Sequence, residues 1–284
     1  MAALPPYTTL FERIWHYAFR VICGLILFFL IMPILVIIPL SFNAGDYFTF
    51  TKEMLALDPA GYSLQWYHDF FTNPNWQGAA RNSVIIAIFS TLIATTLGTL
   101  AALGLSQAQM PAKSAIMALL LSPMIVPLII SAAGMYFFYS RVGLQGTLIG
   151  VILAHAALGT PFVVITVTAT LVGFDRSLIR AALGLGASPF TVLRRVIVPI
   201  ILPGVISGAL FAFITSFDEV VVVLFVGSFE QRTIPWQMFS GIREHISPTI
   251  LAVATVLVGV SIVLLTVLEL LRRRSERLRG VVAN

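Results

Sequence analysis

Gly173-Phe174-Asp175-Arg176-Ser177-Leu178-Ile179-Arg180-Ala181-Ala182-Leu183-Gly184-Leu185-Gly186-Ala187-Ser188-Pro189-Phe190-Thr191-Val192-Leu193-Arg194-Arg195 separates two long apolar runs, about 147–172 and 200–225. Asp175 or Ser177 can cap a helix start, Gly186 can take the positive φ that ends one, and Ser188-Pro189 reads as an N-cap followed by the favoured first-turn proline. The segment is therefore expected to form two short helices meeting at an angle. In the first, Leu178, Ile179, Ala181, Ala182, Leu183 and Leu185 wrap around the circumference and leave mainly Arg176 and Arg180 as a polar face. A helix apolar nearly all round belongs in a buried place, yet the flanking charges put this one on the water side of a membrane. It either docks on another chain or packs beneath its own bundle.

Working outward, a transmembrane helix needs roughly 20 mostly apolar residues. Six such stretches stand at about 20–40, 82–105, 114–139, 147–172, 200–225 and 249–271. The whole chain is 58% hydrophobic and only 10% charged, where soluble domains carry about 25% charge. That excludes a water-soluble core and predicts one all-α membrane domain over 1–284. The first apolar run, Val21 to Leu40, exceeds the roughly 7–15 residues of a cleavable signal and is read as a retained helix.

Basic residues fix the expected orientation, because positively charged loops stay in the cytoplasm. With the N-terminus inside, the inner segments hold Arg13, Arg20, Lys113, Arg176, Arg180, Arg194, Arg195, Arg272, Arg273, Arg274, Arg277 and Arg279, twelve of the seventeen Lys and Arg. Both termini are then cytoplasmic, and the outer loops are about 41–81 and 227–248. The first outer loop is rich in Tyr, Phe and Trp, which favour the water–lipid boundary, so it is expected along the outer surface as an anchor or a docking surface for a soluble partner. Pro33, Pro39, Pro123, Pro127, Pro161 and Pro203 lie within apolar runs, where proline kinks helices. Gly204 and Gly208, at i and i+4, suit a close helix–helix approach.

Asp218 and Glu219 are the ionisable pair placed inside an apolar run, about 27 Å along a helix starting near 200, toward the outer leaflet. Such groups are costly in lipid and usually face a cavity or a partner. Adjacent helical residues diverge by about 100°, so one is expected to meet water or solute in a pathway or gate while the other ties down a neighbouring helix. A purely structural polar contact is the alternative.

Other chemistry finds little support. A P-loop needs Gly-Lys, but Lys52 and Lys113 follow Thr51 and Ala112. His16, His68, His155 and His245 have no metal-ligand spacing and read as packing or surface histidines. Cys23 stands alone in an apolar run, which leaves no disulfide pair. The net charge of +5 flanks apolar runs instead of lining one face, so no nucleic-acid partner is expected.

The opening segment resembles the signature of permease subunits in type I ATP-binding-cassette importers, Glu-Ala-Ala, three residues, Gly, nine residues, Ile-x-Leu-Pro. Ala181, Ala182, Gly186, Val196, Val198 and Pro199 stand in that register, with Arg180 at the acidic position and Val198 at the leucine position. The resemblance implies that the loop about 173–199, with Arg176, Leu178, Ile179, Arg180, Ala181, Ala182, Leu183, Gly186, Ser188, Pro189 and Pro199, enters a cleft of an ATPase subunit and transmits its motion. Ser63-Leu64-Gln65-Trp66-Tyr67, Asn82-Ser83, Ser216-Phe217-Asp218-Glu219-Val220, Ile234-Pro235, Ser240 and Ser247-Pro248 are, in order and spacing, similar to the second permease of spermidine/putrescine importers. That implies a multi-pass protein of a bacterial inner membrane. It also implies a homologous second permease, two cytoplasmic ATPase subunits that bind the ATP and Mg, and an extracytoplasmic substrate-binding protein. A self-sufficient secondary transporter could share the broken helices and intramembrane carboxylates, but it gives no reason for an apolar cytosolic helix. A membrane enzyme lacks a catalytic constellation.

Overall fold

A backbone surrounded by lipid has no water to bond with and must satisfy its own N–H and C=O groups. Helix does so within one segment. Apart from an isolated bridge between Asn43 and Tyr62, helix is the regular structure throughout the described residues. The computed structural model describes residues 9–107, 109–175, 177–244 and 247–278. Arg176, His245 and Arg279 lie outside them. The helices are α1 Leu10–Leu40, α2 Lys52–Leu55, α3 Gln65–Thr72, α4 Pro74–Leu105, α5 Lys113–Ile125, α6 Leu128–Val142 and α7 Leu148–Val172. They continue as α8 Ser177–Gly184, α9 Pro189–Val192, a π-helical turn Leu193–Ile197, α10 Val198–Phe217, α11 Val221–Val226, α12 Ile234–Glu244 and α13 Thr249–Leu278.

The chain forms two compact units, residues 1–73 with 244–284, and residues 74–243. In the first, α1 starts with a capping box in which Thr9 and Glu12 bond each other's backbone N–H. Leu40 is its one buried residue among those described, so its apolar surface is left to lipid or to another chain. The aromatic segment after it is built rather than loose. Trp66 Nε1 donates to the Asn43 carbonyl at 2.8 Å, Ser41 Oγ and Tyr67 OH share a bond of 2.6 Å, and the Phe42 and Tyr67 rings lie 5.0 Å apart. Thr249 Oγ1, at the start of α13, donates to Asp69 Oδ2 on α3 at 2.8 Å.

In the second unit α4, α7 and α10 pack on one another. Small residues set the spacing. A Cβ on Gly98 would come within 2.7 Å of Val163 Cβ, one on Gly159 within 2.9 Å of Ala212 Cβ, and one on Gly208 within 2.8 Å of Val163 Cα. The close approach expected at Gly204 and Gly208 is therefore made against α7, where a Gly204 Cβ would lie 2.9 Å from the Thr166 carbonyl oxygen. Gly208→Leu is expected to force α10 off α7, at about 1–3 kcal/mol for overpacking. A lower melting temperature in detergent would show it, and an unchanged melt would refute this contact.

Beyond the longer ends of α1, from Leu10, and of α13, to Leu278, three span boundaries differ from the sequence reading. The run 114–139 is not one helix: α5 and α6 are bent by 104° at Val126-Pro127. Pro127 supplies no N–H and holds Val126 extended, at φ −70° and ψ 135°. The run 200–225 is also divided, since α10 ends at Phe217 and α11 restarts at Val221. The third difference is at α4, which begins at Pro74 and so shortens the first outer segment. Among the described residues four helices are long and apolar enough to cross a membrane, five with the bent pair as one span, and the apolar part of α13 described, Thr249–Val263, is shorter.

Candidate functional site

The 173–199 loop is two short helices with defined ends. Asp175 accepts from Ser177 Oγ at 2.6 Å and from Ser177 N at 2.8 Å. These bonds, and then the nearby charge of Arg180, hold its carboxyl below the usual aspartate range. At the other end of α8, Gly186 has φ +81°, the Gly186 N–H donates to Leu183 O at 3.0 Å and the Ala187 N–H to Ala182 O at 3.1 Å. That pairing is the Schellman motif, and it turns the chain sharply. Ser188 then caps α9 by accepting from Thr191 N at 3.3 Å, with Pro189 in the first turn. The π turn feeds directly into α10, whose first turn holds Pro199.

With about 100° per residue, Leu178, Ala181, Ala182 and Leu185 fall on one stripe of this short helix and Arg180 on the opposite side. Leu178 is 45% and Leu185 88% exposed, Ala181 is exposed and Ala182 half-buried. Ile179 is half-buried and Leu183 exposed. Most of the stripe is thus left uncovered by the described residues, Ala182 being the half-buried exception.

A second site lies inside the 74–243 unit, where its two helix breaks border one cavity of about 430 Å³. Pro123, Met124 and Leu128 come from the α5–α6 bend, Leu158 and Phe162 from α7, and Ile214, Thr215 and residues 218–221 from the α10–α11 break. Asp218 caps the C-terminal end of α10, its N–H donating to Ile214 O at 3.0 Å; it is exposed, and its carboxylate has no hydrogen-bond or ion-pair partner among the described residues. Glu219 behaves differently. It is buried, and its carboxylate accepts from Val222 N at 3.0 and 2.9 Å and from Val223 N at 3.3 Å, capping α11. Its Oε2 lies 3.4 Å from His155 Nε2. His155 Nδ1 is 2.9 Å from Ser216 Oγ, which takes a bond of 2.9 Å from Ser90 Oγ. His155 is thus a member of a buried polar chain, which its lone place in the sequence did not signal.

A third constellation joins residues far apart in sequence. Asn82 Nδ2 donates to the carbonyls of Glu230 at 2.7 Å and Arg232 at 3.0 Å, Ser83 Oγ accepts from Ile234 N at 2.8 Å, and Arg232 Nη2 donates to Asn75 Oδ1 at 2.8 Å. Asn82-Ser83 and Ile234-Pro235 stood in the sequence as separate patches. They are two sides of one clasp on the 227–234 loop.

Residues 94–279 match the family described as binding-protein-dependent transport system inner membrane component. The chain is 33% identical over 248 residues to the spermidine/putrescine transport system permease protein PotC of Haemophilus influenzae, covering 87% of this chain and 93% of that one. It is 32% identical over 245 residues to PotC of Escherichia coli K12, covering 86% and 90%. Its fold is similar to a chain of a bacterial ABC transporter involved in the import of the acidic polysaccharide alginate, with a TM-score of 0.73 at 15% identity over 93% of this chain and 99% of that chain. A discontinuous-helix cavity, the capped helix pair leading into α10 and these likenesses converge: the chain belongs to the inner membrane components of binding-protein-dependent transport systems and is a permease subunit of an ATP-driven importer.

Proposed function

We propose that this permease forms half of the translocation pathway for a polyamine or related organic cation, with Asp218 as the carboxylate that meets the solute. The observation that carries this reading is the unpartnered Asp218 carboxylate beside a mostly apolar cavity at the junction of two helix breaks. Such breaks are where transporters place solute sites, since freed backbone groups are tolerated only around a cavity or inside protein. An ammonium on a methylene chain needs a negative group and apolar walls. The solutes for which the PotC relatives are named, spermidine and putrescine, support the same class.

The assembly follows from the same reading. A homologous second permease completes the pathway, an extracytoplasmic protein delivers the solute, and two cytoplasmic ATPase subunits bind ATP and Mg. The 173–199 loop, facing the cytoplasm with both termini, couples them to the bundle, and six crossings result when the bent α5–α6 pair and α13 each count as one. Cells stripped of their own polyamine importers and given the complete system should take up labelled spermidine or putrescine in a saturable, ATPase-dependent way. Neutral and acidic solutes should not compete. Absence of polyamine uptake by an assembled, ATP-hydrolysing complex would remove the solute class.

A further inference from the structure

The hydroxyl hydrogens of the buried chain from Ser90 to Glu219 allow two orders, and the Glu219 carboxylate, an acceptor only, favours the one that turns a donor toward it. Ser90 Oγ can spend its one hydrogen on the Ala87 carbonyl at 3.2 Å or on Ser216 Oγ at 2.9 Å. When it gives to Ser216, the Ser216 hydrogen is free for His155 Nδ1, 2.9 Å away. The imidazole hydrogen then sits on Nε2, which is buried, has no hydrogen-bond partner meeting full geometry, and faces Glu219 Oε2 at 3.4 Å. Every hydrogen in this order points toward the Glu219 carboxylate, and that carboxylate already holds the first free N–H groups of α11. Asp218 is the next residue back along the chain, at the end of α10.

We infer that His155, Ser216 and Ser90 are positioning residues, which lock Glu219 onto α11 from inside the bundle and so fix the direction in which Asp218 projects into the cavity. They do not touch the cavity themselves. Two adjacent carboxylates thereby take separate tasks, one held for structure and one left open. The inference rests on the pathway reading only for the statement that Asp218 meets solute. The geometry of the break is testable without any solute.

In a Cys23→Ser background, which leaves no native cysteine, Asp218→Cys is labelled in membrane vesicles carrying the assembled transporter, with a small cationic methanethiosulfonate as probe. Adding His155→Leu should change the labelling rate by about tenfold, the order of one close coupling between contacting residues. His155→Gln, which keeps a donor at the Nε2 position, should bring the rate back to within about threefold, less than that coupling. A global loosening is separated by a second reporter in the same unit, Glu230→Cys, an exposed side chain away from the break, whose rate should not move. Glu219→Gln combined with His155→Leu should give no more than either alone, because both act through one contact. If His155→Leu prevents accumulation of the chain, Ser216→Ala carries the same comparison. Equal labelling rates with and without these changes would overturn the inference. Failure of polyamine uptake, with the labelling pattern intact, would instead count only against the solute class.

Discussion

Leu185→Asp is expected to leave the chain inserted and folded while removing most of its association with the ATPase. Leu185 is 88% exposed, so the change disturbs almost nothing within this chain. In the assembly it would strip an apolar anchor from the stripe Leu178, Ala181, Ala182 and Leu185 and place an unpaired charge against a partner. Breaking the balance of a buried charge costs about 3–5 kcal/mol, or more than a hundredfold in an equilibrium. Pull-down of the ATPase and solute-stimulated hydrolysis in reconstituted vesicles read the loss; wild-type behaviour in both would rule out this surface as the transmission. Gly186→Val attacks the same device from its hinge. No atom lies within 4 Å of a Cβ built on Gly186, so the penalty is purely the φ of +81°, about 1–2 kcal/mol for a residue with a Cβ. The residue can escape that strain by re-aiming α8, so a smaller loss is expected than for Leu185→Asp. Arg180→Glu is the contrast. Arg180 projects opposite the stripe, so restoring an acidic residue there should change association little, although it would sit near the Asp175 carboxylate that Arg180 now favours.

The shape of the 173–199 loop was legible because its determinants are local. A cap at Ser188-Pro189, a positive φ at Gly186 and an apolar helix between charged flanks are all written within two dozen residues. Which proline breaks a span was not. The helices run through Pro161 and Pro203, whereas the chain bends at Pro127. Burial of the ring does not decide it, since Pro161 is buried and Pro203 exposed and both helices continue. What sets Pro127 apart is the residue before it, Val126, which is extended rather than helical.

The same limit explains Asp218 and Glu219. Read on a continuous helix, they diverge by about 100°, and the separation of roles follows from angle alone. In the structure both lie in the break between α10, which ends at Phe217, and α11, which begins at Val221, and the separation follows from hydrogen bonding instead. The pattern Ser216-Phe217-Asp218-Glu219 names the residues, but their partners Ser90 and His155 lie 126 and 61 positions from Ser216. No spacing in the sequence could join them.

Asp218→Asn should therefore be the most selective change in the molecule. The amide keeps the shape of the carboxylate, and because the Asp218 carboxylate has no partner among the described residues its loss leaves no orphaned donor behind. Chain abundance and ATPase association should stay normal. What disappears is the charge offered to an ammonium group, and a hydrogen bond to a charged partner is worth about 1.5–3 kcal/mol, which is about ten- to a hundredfold in half-saturation. The deficit should be larger for a multiply charged amine than for a monoamine of equal length, since only the electrostatic part has been removed. Glu219→Gln should differ by costing stability as well: it weakens the cap on Val222 and Val223 that fixes the direction of Asp218, so stability and rate fall for every solute and the preference for polyamines falls with them. Concentration-dependent uptake by the two variants, with a monoamine and a polyamine compared in each, measures both effects. If Asp218→Asn transported polyamine with unaltered half-saturation, the carboxylate would have no part in recognition and the cavity would have to select by shape alone.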